Sequence, residues 1–232
     1  MHIHYLQHMP FENPGNIIPW AEANGHALTG TMLYENQPLP PIWRFDWLIV
    51  LGGAMNVYEH KIHPWLVKEK EFIYKTIQYG TSVLGICLGA QLISDVLGGG
   101  VTRNLHREIG WFPVSLTPHG RQSDLFHGFK NRFLAFHWHG DTFSIPPKAF
   151  QVVRGEACDN QAFQYGQRVL GLQFHLDYTK EGVETMIRNC SDELIPGPYV
   201  QSPEKMLLLN ARFQKTKILL YSLLNSMARH IC

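Results

Sequence analysis

An α/β fold, with a mainly parallel sheet and helices on both faces, is what the sequence predicts, on three observations. Through the first hundred residues, short apolar runs of strand length alternate with segments whose apolar residues recur every three or four positions. Two of those runs, 45–51 and 81–86, are apolar almost throughout, as strands covered on both faces are. Both end in or beside glycines, where a strand can turn sharply into the next element.

The elements follow in order. Met1 to Leu6 alternates polar and apolar residues and reads as the first strand; it lacks the long apolar run of a signal peptide. Pro14 to Asn24 reads as a short helix carrying Ile17, Ile18, Trp20 and Ala21, closed by Gly25. Ala27 to Leu33 is the second strand, and Pro38 to Pro41 a loop, because consecutive prolines remove backbone donors. Phe45 to Leu51 is the next strand. Pro64 then opens a helix that Gly80 closes, with Trp65, Leu66, Phe72, Ile73 and Ile77 inward and Lys68, Lys70 and Glu71 mostly outward. Thr81 to Ile86 is a strand, and Leu88 to Leu97 a helix ending in three glycines.

Further strands are expected at 111–116, 133–137, 150–153, 162–165 and 169–174, some of them pairing antiparallel at an edge. A helix spans about 180–190. The last one begins at Ser202-Pro203, with Met206, Leu209, Phe213, Leu220, Leu223 and Met227 as its apolar stripe. That stripe packs on the sheet or, in the alternative, forms a homodimer contact. With no linker or repeat in view, residues 1–232 read as one domain with a C-terminal helical segment over about 180–232.

Composition narrows the function. In 232 residues, 45% hydrophobic and 12% aromatic content demands a buried core, and 20 Lys+Arg against 19 Asp+Glu leave a charge of +1. No global field therefore draws the chain to nucleic acid. No stretch reaches the ~18 apolar residues of a membrane span. Four separated cysteines form no CxxC pair, so a reduced, cytoplasmic setting is expected.

In such a sheet, ligands bind beyond the carboxyl ends of the strands. One strand ends in Gly52-Gly53, one in Cys87 within Gly85-Ile86-Cys87-Leu88-Gly89-Ala90-Gln91, and one in His175 within Gln173-Phe174-His175-Leu176-Asp177. Glycines two positions either side of Cys87 suit a nucleophile elbow, a strained strand-to-helix turn that exposes its side chain. The helix from Leu88 would direct free N–H groups toward the sulfur and favour thiolate. The amide of Leu88, with a second from the Gly52-Gly53 loop, could stabilise an oxyanion. His175 fits general acid and base, and Asp177 could orient its ring.

These motifs resemble the class I (triad) glutamine amidotransferases, which carry GxCxGxQ and QFHxE, and they resemble most the stand-alone proteins similar to the glutaminase domain of GMP synthase. Leu51-Gly52-Gly53-Ala54-Met55, Glu108-Ile109-Gly110-Trp111 and His137-Trp138-His139-Gly140-Asp141 add to the resemblance, which covers nearly the whole chain. It implies a flavodoxin-like fold. It further implies that Cys87 attacks a glutamine side-chain amide to give a γ-glutamyl thioester and ammonia, with His175 moving protons. Gly53 and Leu88 would match the oxyanion amides, Gln91 a position near bound glutamine, and His137 to Asp141 the rim. The family usually has glutamate where this chain has Asp177. A side chain one methylene shorter needs a shifted backbone, a turned histidine, a bridging water or Glu181 instead.

A γ-glutamyl peptide or γ-glutamyl amine substrate fits the same elbow, since only the leaving group differs. The chain carries no GxxxxGK[ST] phosphate loop. Productive use of ammonia would then need a synthetase partner. A stress-protein or intracellular-protease-like hydrolase and a non-catalytic interaction protein are the other readings. No cofactor and no metal are expected: His60-x-x-His63, His137-x-His139 and His2-x-His4 have ligand spacings but no accompanying third ligand. Arg103, His106 and Arg107 read as a solvated loop cluster or a contact for a carboxylate. Cys158, Cys190 and Cys232 read as structural or surface thiols.

Overall fold

The computed structural model describes residues 1–231; Cys232, and with it the reading of its thiol, lies outside the described residues. One sheet of nine strands organises the chain: β1 (His2–Gln7), β2 (Ala27–Met32), β3 (Trp47–Val50), β4 (Ser82–Ile86), β5 (Val101–Leu116), β6 (Arg132–Phe143), β7 (Ala149–Arg154), β8 (Ala162–Tyr165) and β9 (Val169–Leu172). Their order is β2-β1-β3-β4-β9-β8-β7-β5-β6.

Helices α1 (Ile17–Ala23), α2 (Trp65–Gln78) and α3 (Leu88–Val96) occupy the first hundred residues, and α4 (Pro118–Gln122) is a single short turn of helix. Helices α5 (Lys180–Asn189), α6 (Pro203–Leu207) and α7 (Asn210–Arg229) complete the chain. Alternation along the strands builds two cores. Ile3, Trp47, Ile49, Leu84 and Ile86 face α1 and α7, whereas Leu6, Leu48, Val50 and Val83 face α2 and α3. Helices thus cover both faces, as predicted.

The expectation of a mainly parallel sheet needs correction. β2, β1, β3, β4 and β9 pair in parallel; β9-β8, β8-β7, β7-β5 and β5-β6 are antiparallel. The sheet is half of each kind. A parallel crossover needs a dozen or more residues, usually a helix. Between Leu116 and Val169 the only α-helix is the five-residue α4, so the strands there return as hairpins. β5 and β6 also run far beyond their predicted bounds. Gly110 at φ +122 and a register shift between Arg103 and Glu108 let β5 bend without ending.

The final helix is two helices rather than one. Leu209 is not on a continuous stripe: it is the extended residue before α7, at φ −122, and is half exposed. The break is stabilised by side chains that take the free carbonyls of α6. Trp111 Nε1 donates to the Met206 carbonyl at 2.8 Å, and an Arg212 guanidinium N–H to that of Lys205 at 3.2 Å. Leu220, Leu223 and Met227 are buried against the sheet core.

Candidate active site

Register alone brings the three unusual strand ends together. Val50 pairs with Gly85, and Ile86 with Leu172, so Gly52, Cys87 and Gln173 leave the sheet at one level. Leu6 pairs with Val50, which places His8 beside Gly52. The Cys87 N–H donates to the Leu172 carbonyl at 2.7 Å, and its own carbonyl accepts from Gln91 N–H at the start of α3. Between these anchors Cys87 sits at φ +51, ψ −108, a conformation that costs an L-residue strain.

Its flanking glycines are required by close approach. A Cβ on Gly85 would lie 2.6 Å from the Gly89 carbonyl, and one on Gly89 would overlap the Val50 carbonyl oxygen. Gly89→Ala is therefore expected to destabilise the protein by about 1–3 kcal/mol, the usual range for overpacking. A denaturant midpoint equal to wild type would refute that packing.

His175 follows two residues after Gln173 and is held by backbone bonds in both directions to Phe136 on β6. Its Nδ1 lies 3.2 Å from Asp177 Oδ1, and both side chains are buried. Aspartate thus reaches the ring directly. The backbone that permits this is clamped: Asn16 N–H donates to the Asp177 carbonyl at 2.8 Å, and Gly15, at φ +53, leaves room for that carbonyl. Glu181 lies exposed at the first turn of α5 and is not a substitute. Burial alone lowers the His175 pKa, but Asp177 and the neighbouring Cys87 sulfur overcome it and raise it to about 10.

The sulfur of Cys87 lies 3.6 Å from the Trp138 carbonyl and 3.7 Å from Gln173 Nε2. Gln173 Oε1 in turn accepts from Gln91 Nε2 at 3.1 Å. A cavity of about 220 Å³ opens over them, with Cys87, Leu88, Gln91, Gly53, Tyr58 and Asp141 among its walls. Arg103 and Arg107 also line it. They lie on β5 rather than in a solvated loop, because the strand begins at Val101.

Several contributors carry no local signal in the sequence. Glu12 is buried in the loop after β1, lines the cavity, and accepts from the Tyr178 hydroxyl at 3.2 Å. Burial raises its pKa against the opposing pull of His175 and His8. Buried His8 donates through Nδ1 to the Gly52 carbonyl at 2.8 Å, while Nε2 contacts Glu69 at 2.7 Å. In a planar trans peptide the C=O and N–H point opposite ways. Fixing the Gly52 carbonyl on His8 therefore fixes the Gly53 N–H on the other side. Glu69 was legible only as a polar residue of an amphipathic helix; its partner lies 61 positions away.

Of the remaining histidine pairs, His2 and His4 are satisfied by Thr29 and Thr31, and His60 is exposed. Cys158 and Cys190 are buried away from the cavity walls, and burial pushes their thiols up to about 11 and about 12.

Comparison with known proteins agrees with this geometry. The family model described as glutamine amidotransferase class-I matches residues 25–193. A glutamine amidotransferase-like protein of Salmonella typhimurium, YfeJ, is 33% identical over 198 residues, covering 84% of this chain and 83% of its own. The glutamine-hydrolysing subunit of the GMP synthase of Saccharolobus solfataricus is 31% identical over 157 residues, 64% of this chain and 77% of that protein. The crystal structure of a glutamine amidotransferase from Thermotoga maritima superposes with a TM-score of 0.89 at 30% identity, covering 98% of this chain and 97% of the other.

Proposed function

The chain belongs to the class I glutamine amidotransferase family, and we propose that it hydrolyses the side-chain amide of glutamine through a thioester on Cys87. The observation that carries this reading is the strained Cys87 at a strand-to-helix turn, beside a His175 ring that Asp177 keeps protonated. The sulfur of Cys87 attacks the amide carbon and forms the C–S bond. Negative charge on the carbonyl oxygen is met by the Leu88 and Gly53 amides. His175 gives its proton to the departing nitrogen, the C–N bond breaks, and ammonia leaves. Water then attacks the thioester, gives a proton to His175, and expels the sulfur as glutamate forms. In this scheme Asp177 orients and charges His175, Gln91 meets the bound glutamyl group, and the His8–Glu69 pair aims the Gly53 amide.

A γ-glutamyl amine is the second substrate reading. It is favoured by the carboxylates of Glu12, Asp141 and Glu193 around the cavity, which suit a leaving group that carries a cationic amine. Use of the released ammonia by a synthetase partner is supported by the similarity to one component of a GMP synthase. Among the described residues no helix is long and apolar enough to cross a membrane.

The test is release of ammonia and glutamate from glutamine, beside amine release from a panel of γ-glutamyl amines and peptides. Cys87-dependent turnover of glutamine is expected. Turnover confined to γ-glutamyl amines would move the assignment to the second reading, and release independent of Cys87 would refute both.

A further inference from the structure

Strand pairing places three metal-ligating side chains together that no sequence spacing connects. Glu108 on β5 stands opposite His139 on β6, and His137, two residues back, points to the same face. Glu108 Oε2 lies 3.1 Å from His139 Nε2 and 3.3 Å from His137 Nδ1, and one ligand atom from each of the three falls within 4.8 Å of the others. All three are buried. We propose that Glu108, His137 and His139 form a binding site for a divalent transition metal of the zinc class.

The hydrogen bonding around the cluster is the argument. His139 Nδ1 sits 3.0 Å from the Asp141 carbonyl, which can only accept, so that nitrogen carries the proton. In the neutral ring, Nε2 then presents a lone pair toward the Glu108 carboxylate, and two acceptors face each other unless a cation lies between them. His137 is fully buried, yet neither ring nitrogen has a hydrogen-bond partner, the 3.3 Å approach to Glu108 lacking hydrogen-bond geometry. Such an orphaned ring is costly in a dry interior and is suited to metal coordination.

The surroundings match what a metal-binding histidine and carboxylate need. A backbone carbonyl orients His139 from behind, and Gln161 Nε2 donates to Glu108 Oε2 at 2.7 Å. Zinc takes two histidines and a carboxylate at about 2.0–2.2 Å, so ligand atoms at tetrahedral angles lie about 3.3 Å apart, close to the separations present. Burial favours the uncharged, metal-binding form of His137, and the two histidines hold Glu108 well below the usual carboxylate range despite its burial. His139 is also a wall of the Cys87 cavity, which gives an ion a way in. Trp138, between the two histidines, turns its carbonyl to Cys87, so a bound ion would fix the strand that forms that wall.

The experiment is calorimetric titration of Zn²⁺ into the metal-stripped full chain, intact and as Cys87→Ala, followed by X-ray absorption at the zinc edge. One equivalent is expected in both proteins, with two imidazoles and an oxygen ligand and no sulfur. Glu108→Gln and His139→Gln, each checked for folding by circular dichroism, are expected to weaken binding more than about tenfold. Absence of binding, a sulfur ligand in the intact chain, or unchanged affinity in both folded variants overturns the site. Should the variants fail to fold, the ligand shell of the intact chain decides: fewer than two imidazoles refutes the proposal.

Discussion

Replacing Cys87 with alanine is expected to lower amide hydrolysis about 10⁴-fold or more, the order seen when a covalent nucleophile is removed, with the fold intact. The side chain is small and 7% exposed. Truncation removes no hydrogen bond stronger than the 3.6–3.7 Å contacts of the sulfur. It also leaves the φ +51 backbone anchored by the Leu172 and Gln91 bonds. Parallel measurement of turnover and thermal midpoint separates the two effects. Loss of activity through unfolding would show in the midpoint, and retained activity would remove Cys87 from the mechanism.

The second large effect is expected at Asp177. Burial lowers the pKa of His175, while Asp177 and the Cys87 sulfur raise it to about 10. The imidazolium that protonates the leaving nitrogen therefore persists through neutral pH, and the alkaline limb of the rate profile falls near pH 10. Asp177→Asn keeps an oxygen near Nδ1 but removes the charge, leaving burial to push the pKa below the ordinary 6.5. The variant is expected to lose about 10²–10⁴-fold in rate, with its alkaline limb displaced toward lower pH. A pH profile identical to wild type would take Asp177 out of the account. The same pair bears on stability. A histidine whose folded pKa lies above its unfolded one stabilises the fold fully below pH 6.5 and loses that contribution as pH rises through about 10.

Asp177→Glu is expected to keep the high alkaline limb without exceeding the wild-type rate. The Asn16 bond clamps the backbone, so an added methylene has to be absorbed within a buried site. The aspartate is thus accommodated by its own surroundings, with Gly15 allowing the close approach that brings the shorter side chain to the ring.

Cys87, His175 and the Gly52-Gly53 loop were legible because each is announced locally, by glycines or apolar runs that end a strand, and because parallel strands end on one edge. Cys87 and Gln91 lie one helical turn apart, so their proximity follows from the first turn of α3. Glu12, His8 with Glu69, and Glu108 were not legible. Each depends on which strands are neighbours and in what register, and a buried carboxylate looks, in sequence, like any solvated one. The antiparallel half of the sheet was foreseen only as an edge, since hairpins within 116–169 leave the same apolar signature in either pairing direction. The α6–α7 break was hidden because Leu209 continues the apolar spacing, while the side chains that cap the break come from Trp111 and Arg212.

The central claim is that Cys87 is the group that bonds to a γ-glutamyl carbon. Labelling the intact protein near neutral pH with a γ-glutamyl electrophile, and mapping the adduct by mass spectrometry, tests it most directly. Cys158 and Cys190, raised to about 11 and about 12, should remain unmodified. A single adduct on Cys87 that glutamine protects against is the expected result. No adduct, or one on another cysteine with Cys87 free, would contradict the account.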